Sequence, residues 1–213
     1  MLNAVEFSVS RETDLVMNPV FSRILNSSSL ELTDEMLRKL WGHWQLVREW
    51  NSRVNLTSIR DVEEAAWYHY RDSIAVADHL PAGSVVDMGS GAGFPGIPLA
   101  IILPQRAVTL VEPRRKRVSF LRVAAGRLGL TNLEITMGRS SDIPSHRFAA
   151  LVTRATFSDE GDLNQCLKWV KPGGAMIAFR SEDSASLSQS TRQVSYKLGD
   201  YQRRFDIIDL DDE

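Results

Sequence analysis

The sequence predicts an α/β protein: a mostly parallel sheet with helices on both faces, preceded by a helical region. Three observations lead there. From residue 84 onward, short apolar runs alternate with longer helical stretches, the pattern of a parallel sheet with crossover helices. One run, Val85-Val86-Asp87-Met88, passes into Gly89-Ser90-Gly91-Ala92-Gly93-Phe94-Pro95-Gly96 and then an apolar stretch from Ile97 to Leu103. That reads as buried strand, glycine turn and helix. Ahead of these, Leu37, Leu40, Trp41, Trp44 and Val47 recur at helical spacing, as in an amphipathic helix that buries one face.

Composition narrows the function classes. A net charge of −2 excludes a polycation, so any contact with nucleic acid must rest on a local patch. No apolar run approaches the roughly 20 residues that a membrane span needs. The opening residues carry neither a basic stretch nor a long apolar one, so no secretory signal is expected. Cys166 is the sole cysteine. It reads as a buried core thiol, and a chain without disulfides suits the cytoplasm. The four histidines lack ligand spacing, so no metal site is expected.

In chain order, residues 1–30 are weakly patterned, with one or two helical turns over Val20–Leu25. Thr33 is placed to cap a helix that opens on Asp34 and Glu35 and ends near Asn51. A polar turn region follows, in which Asn55 and Thr57 can bond their own backbone. Asp61 should cap the next helix, from Val62 to about Leu80. His69 and Asp72 share a face of it, as a catalytic pair or, preferably, as structural hydrogen-bonding groups. Pro81-Ala82-Gly83 divides the helical region, 1–80, from the α/β domain, 81–213. Expected strands are Ser84–Met88, Ala107–Glu112, Leu133–Met137, Ala149–Arg154 and Ala175–Arg180. Expected helices are Ile97–Leu103, Arg115–Leu128 and Asp162–Val170. Lys171-Pro172-Gly173-Gly174 reads as a tight turn before the fifth strand. Segments around Tyr196–Leu198 and Phe205–Ile208 should pair as a closing antiparallel hairpin.

The glycine turn is the candidate ligand site, through Gly89, Gly91 and Gly93. Gly91 to Gly96 also fit the G-x-G-x-x-G pattern of dinucleotide sites, a weak signal by itself. Asp87 argues against that, because a carboxylate at the strand end would repel a pyrophosphate and suits a cationic ligand end or a backbone-ordering role. Only one nucleotide-binding half is visible, where a dinucleotide fold needs two. Glu112 closes the second strand, 23 positions after Gly89, where a carboxylate can hold ribose hydroxyls. An adenosine bearing an amino-acid tail, S-adenosyl-L-methionine, meets all three features.

Just beyond Glu112 lies a basic island. Arg114, Arg115, Lys116, Arg117, Arg122 and Arg127 occur with no acid from Pro113 through Leu133. Such a run is either a solvated helix face or a phosphate-contacting patch. Arg139 and Arg154 fall near the ends of the third and fourth strands, where ligands of open sheets bind.

Several segments together resemble the bacterial small-subunit ribosomal RNA guanine-N7 methyltransferases, once called glucose-inhibited division protein B. They are Trp50-Asn51 with Asn55-Leu56-Thr57, His69 with Asp72-Ser73, the block from Asp87 to Ala100, Lys116-Arg117-Val118 with Phe120-Leu121, Gly138-Arg139, Arg154-Ala155, and Lys171 to Gly174. The resemblance implies a class I methyltransferase fold, Rossmann-like. Gly89 and Phe94 would contact S-adenosyl-L-methionine, Glu112 would hold its ribose, and Ser140-Ser141 would lie beside the adenine. Arg154 would sit at the mouth, near the cofactor's methionine tail or the RNA, and Arg154, Arg139 and His69 would align the substrate, a guanine of small-subunit rRNA. Where the family commonly has Ala-Glu and Lys-Gly, this chain has Ser140-Ser141 and Arg180-Ser181. Arg180 keeps the positive charge for RNA. A monomer is the simplest expectation. A non-catalytic cofactor- or RNA-binding module, or a methyltransferase on another substrate, would share many of these features.

Overall fold

The computed structural model describes residues 16–138, 144–154 and 165–212. A seven-stranded sheet in the order β3-β2-β1-β4-β5-β7-β6 organises the fold. The strands are β1 Val85–Met88, β2 Val108–Val111, β3 Leu133–Thr136, β4 Phe148–Arg154, β5 Val170–Ser181, β6 Arg192–Leu198 and β7 Tyr201–Asp209. β1 to β5 run parallel; β7 is antiparallel to both β5 and β6. Every residue of β1 and β2 is buried, as expected for central strands covered on both faces. β6, at the edge, alternates exposed and covered positions over most of its length.

The helices are α1 Pro19–Asn26, α2 Asp34–Val54, α3 Val62–Ala65, α4 Asp72–Ala75, α5 Gly96–Ile102 and α6 Arg115–Leu128. One face of the sheet, with Val85, Leu110, Ile177 and Phe205, shares a core with Phe21, Trp44 and Tyr70 of the helical segment. The other face packs Val86, Met88, Leu151, Met176 and Ile208 around Trp169 and Cys166. The thiol is therefore a core group, as expected. No described helix is long and apolar enough to cross a membrane.

The expected capping by Thr33 and Asp61 is present: Thr33 Oγ1 accepts from the Met36 amide, and Asp61 Oδ1 accepts from the amides of Glu63 and Glu64. α6 has the expected bounds.

Several details differ. α2 continues to Val54, because Asn55 takes a left-handed cap with φ 52°, a conformation asparagine tolerates. Asn51, where the helix was expected to end, is buried inside it. Its amide group instead ties down the following loop through Leu56 N, Thr57 N and Thr57 O. The single helix expected over Val62–Leu80 is broken. A π-helical stretch, Ala66–Arg71, separates α3 from α4, and a 3-10 turn follows at Ala77–His79. Lys171–Gly174 is not a turn before β5 but a bulge within it, with a register shift against β4. There Gly173, at φ 68°, donates to carbonyls beyond β7. Of the helix expected over Asp162–Val170, residues 162–164 lie outside the described residues; 165–167 are helical and Val170 opens β5.

The hairpin is longer than expected. Gly199 and Asp200 form its two-residue turn, with Gly199 at φ 58°, the positive φ that tight hairpin turns require.

Candidate functional site

The glycine turn leaves β1 through bonds that fix its path. The amides of Gly89 and Ser90 donate to Val111 O at 2.8 and 3.2 Å, and those of Gly93 and Phe94 donate to Ser90 O at 2.7 and 3.1 Å. Gly89, Gly91 and Gly93 all have positive φ. At Gly93 a side chain is doubly barred, since a Cβ would lie 2.5 Å from Ile97 Cδ1.

Glu112 locks the turn from the neighbouring strand. Its Oε2 accepts from the Gly91 amide and its Oε1 from the Arg114 amide, both at 2.9 Å, and it is 2% exposed. Each oxygen keeps a lone pair free of these two bonds.

Between the turn and the helical segment lies a cavity of about 560 Å³ at the carboxyl edge of the sheet, within the range of small-molecule sites. Gly89 to Ala92, Phe94 and Glu112 line one side; Leu56, Tyr68, His69 and Asp72 line the other. Arg114, Arg117, Arg154 and Arg203 supply four cations.

Asp72 is the hub of this wall. Although only 2% exposed, it receives Arg154 Nη1 at 3.2 Å, Tyr196 Oη at 2.6 Å, and Arg203 Nε and Nη2 at 3.3 and 3.5 Å. Arg154 also donates to Tyr68 O at 2.9 Å and lies 5.2 Å over the Phe94 ring. His69 stacks on the same ring at 4.4 Å. Its Nδ1 faces Arg154 Nη2 at 3.4 Å. A guanidinium only donates, so Nδ1 is the acceptor and Nε2–H donates to Thr57 Oγ1 at 2.8 Å. Burial, with the nearby Arg154 cation, drives the His69 pKa down to about 2. The imidazole is a neutral spacer rather than a proton carrier. His69 and Asp72 bond Arg154 rather than each other.

Some predicted site residues do not reach the cavity. Asp87 is fully buried under α5, where its Oδ2 accepts from the Gly96 amide at 3.0 Å. It shapes the turn and faces no ligand, because residues 85 and 87 point to the sheet face that α5 covers. The argument against a pyrophosphate therefore passes to Glu112, which already occupies the Gly91 amide. Gly93 likewise acts through packing. Arg115 and Lys116 are exposed on α6 away from the lining. Arg180 turns back to donate to Ala185 O at 2.7 Å. Arg139, Ser140 and Ser141 lie outside the described residues.

Three contributors escaped the sequence reading. Arg203 lines the cavity from β7, while Arg204 bonds Asp206 on the opposite face; adjacent arginines in a strand must point oppositely. Tyr68 emerges from the π-helical stretch. His43, fully buried on α2, donates from Nε2 to Ala92 O at 2.9 Å and accepts from Tyr70 Oη at 3.0 Å. It pins the glycine turn to the helical segment.

The start of α6 conflicts with ordinary helix electrostatics. Arg114 to Arg117 sit at its positive end, with no acid in the first turn and no side-chain cap bond. Cations there oppose the helix dipole, so their placement favours an anionic ligand over helix stability.

The model of one protein family, described as rRNA small subunit methyltransferase G, matches residues 36–203. The chain belongs to this family. Ribosomal RNA small subunit methyltransferase G of Halorhodospira halophila is 37% identical over 158 residues, 74% of this chain and 76% of the relative. The protein of the same name from Enterobacter sp. is 38% identical over 151 residues, 70% and 71% of the two chains. Among solved structures, a SAM-dependent methyltransferase from Aquifex aeolicus superposes with a TM-score of 0.54 at 17% identity, covering 68% of this chain and 93% of that one. TrmN from Thermus thermophilus gives 0.51 at 17% identity, covering 75% and 53%. The fold is that of class I S-adenosylmethionine-dependent methyltransferases, and the matched residues 36–203 include the glycine turn, Asp72, Glu112, Arg154 and Arg203.

Buried titratable groups of this site give stability opposing pH trends. Burial holds His43 down at about 3 and His69 at about 2, from an ordinary 6.5. Their contribution is full above pH 6.5 and is lost as the pH falls below it, where the unfolded chain binds protons that the folded chain refuses. Burial pushes Asp87 up to about 7 from 3.8, against the pull of the Gly96 amide. Its contribution is full below 3.8 and is lost as the pH rises through about 7. Asp87→Asn, which keeps an acceptor for Gly96, should melt above wild type at alkaline pH. On acidification below neutrality it should lose stability more steeply than wild type, by about 1 kcal/mol per pH unit. Parallel melting profiles across that range would contradict this.

Proposed function

We propose that the protein transfers a methyl group from S-adenosyl-L-methionine to N7 of an unpaired guanine in small-subunit ribosomal RNA, acting as a monomer in the cytoplasm. The observation that carries this is one cavity joining a Glu112-locked glycine turn to an arginine-rich wall whose only histidine is held neutral.

The residues present fit the cofactor. Glu112 has lone pairs for two ribose hydroxyls, Gly89 and Gly91 permit close backbone approach, and Phe94 offers an apolar wall. Bound there, the cofactor supplies an electrophilic methyl group. Guanine N7 already carries a lone pair, so the protein needs no general base, and its task is alignment. Arg154, fixed by Asp72 and Tyr68 O, and His69, stacked on Phe94, hold the acceptor in place. Arg114 and Arg117 take backbone phosphate, with Arg115 and Lys116 extending the patch along α6. Arg139, Ser140 and Ser141 follow β3 in the sequence, and the family resemblance assigns the two serines to the adenine; Arg180 would meet RNA farther out. The guanine must be splayed from any helix, because the deep major groove of A-form RNA hides N7.

Mass mapping of small-subunit rRNA from cells with and without the gene tests the reading. One methylated guanine should disappear in the deletion and return when purified protein and cofactor are added to the isolated subunits. Identical maps would overturn it. Arg154→Ala should lower turnover on the order of 100-fold with an unchanged circular dichroism spectrum, since Asp72 retains Tyr196 and Arg203. Wild-type turnover by that variant would remove Arg154 from alignment.

A further inference from the structure

We propose that Tyr201, braced by its edge-to-face contact with Tyr68, forms a stacking platform at the cavity rim that receives an unpaired base flanking the guanine to be methylated. The inference rests on ribosomal RNA being the substrate. Large apolar side chains exposed among the described residues are few: Val16, Met137 and Tyr201, the last 60% exposed. A lone exposed tyrosine is ordinary; the placement of this one is not.

Tyr201 opens β7, and side chains of a strand alternate, so it shares a face with Arg203 and Phe205. Along that face exposure falls from Tyr201 at the rim, through Arg203 in the cavity wall, to Phe205 at 0% in the core. Tyr201 therefore lies on the cavity-facing side of β7, two residues outward from Arg203. Its ring meets Tyr68 edge to face, with centroids 5.3 Å apart and planes at 78°. Tyr68 itself lines the cavity, and its carbonyl holds Arg154.

The platform is held firmly. The Gly199 turn lies against Trp67, where a Cβ would be 3.7 Å from the indole. Arg203, anchored on Asp72, stays 26% exposed two residues away. An aromatic face beside a cation, opposite the basic start of α6, matches a single-stranded nucleic acid, whose bases stack while its phosphates pair. Every base has a π-face, so the platform adds affinity without reading sequence.

Three variants test this on small ribosomal subunits purified from cells lacking the gene. Tyr201→Ala should raise KM for the subunits about 5- to 100-fold, with S-adenosyl-L-methionine affinity by calorimetry unchanged. Tyr201→Phe should restore KM, because stacking needs the ring and not the hydroxyl. Tyr201→Trp should show indole emission, beyond that of wild type, that is quenched as subunits are added. An unchanged KM for Tyr201→Ala overturns the platform, as does a parallel loss of cofactor affinity, which would assign the ring to the cofactor side. If wild-type protein methylates no subunits, it is the RNA substrate itself that fails, and the platform falls with it.

Discussion

Asp72→Ala is expected to cost about 3–5 kcal/mol of folding stability, the usual consequence of stripping a buried charge cluster of one sign. The carboxylate is nearly inaccessible and serves Arg154, Arg203 and Tyr196 together. Burial and the adjacent carboxylate keep the Tyr196 phenol protonated far above its ordinary range, so it remains a donor throughout. Without Asp72, two guanidinium groups 49 positions apart in the chain face each other with no anion between them. For a chain of this size the melting temperature should fall by roughly 6–20 °C. Asp72→Asn should fall between this and wild type, since an amide oxygen can still accept from Tyr196 but carries no charge. Thermal melts of the three proteins decide the matter. Near-coincident melts would mean that solvent, and not Asp72, balances the arginines.

Glu112→Ala should weaken S-adenosyl-L-methionine binding by about 2–4 kcal/mol, roughly 30- to 1,000-fold in Kd. The change removes the acceptor for the ribose and also frees the amides of Gly91 and Arg114 that shape the turn. Glutamine is no neutral control. Both carboxylate oxygens accept from backbone N–H groups, so the NH2 of a glutamine would confront a donor. Calorimetry with the methyl donor, and with a nicotinamide dinucleotide as comparison, reads the outcome. Wild-type affinity in Glu112→Ala, or tight dinucleotide binding by the native protein, would break the assignment of the cavity.

Much of this architecture is legible because its signals are local. Val85–Met88 and Val108–Val111 are short strands buried on both faces, and such strands have no polar side to disguise. Thr33 announces α2 through its cap, and the apolar spacing of Val118, Phe120, Leu121 and Ala124 fixes α6. The misses arise where distant contacts override local preference. Lys171 to Gly174 have turn chemistry, yet pairing with β4 and contact with the segment after β7 keep them in the sheet. The π-helical stretch leaves no mark in composition; it places Tyr70 in the core while His69 and Asp72 face the cavity. Arg203 meets Asp72 across 131 positions, a separation over which no periodicity carries information. Asp87 misled for a different reason. A carboxylate beside a glycine turn suits a ligand contact and a backbone tether equally well, and only its burial under α5 distinguishes them.

The interleaving of β7 between β5 and β6 has a consequence for biosynthesis. Two of the three partners of Asp72 come from the hairpin, so a nascent chain halted before residue 196 has its helical segment and parallel strands but no finished cavity wall. Competence therefore arrives late in translation. A growing chain still threaded through a ribosome has no means of modifying the particle that is making it.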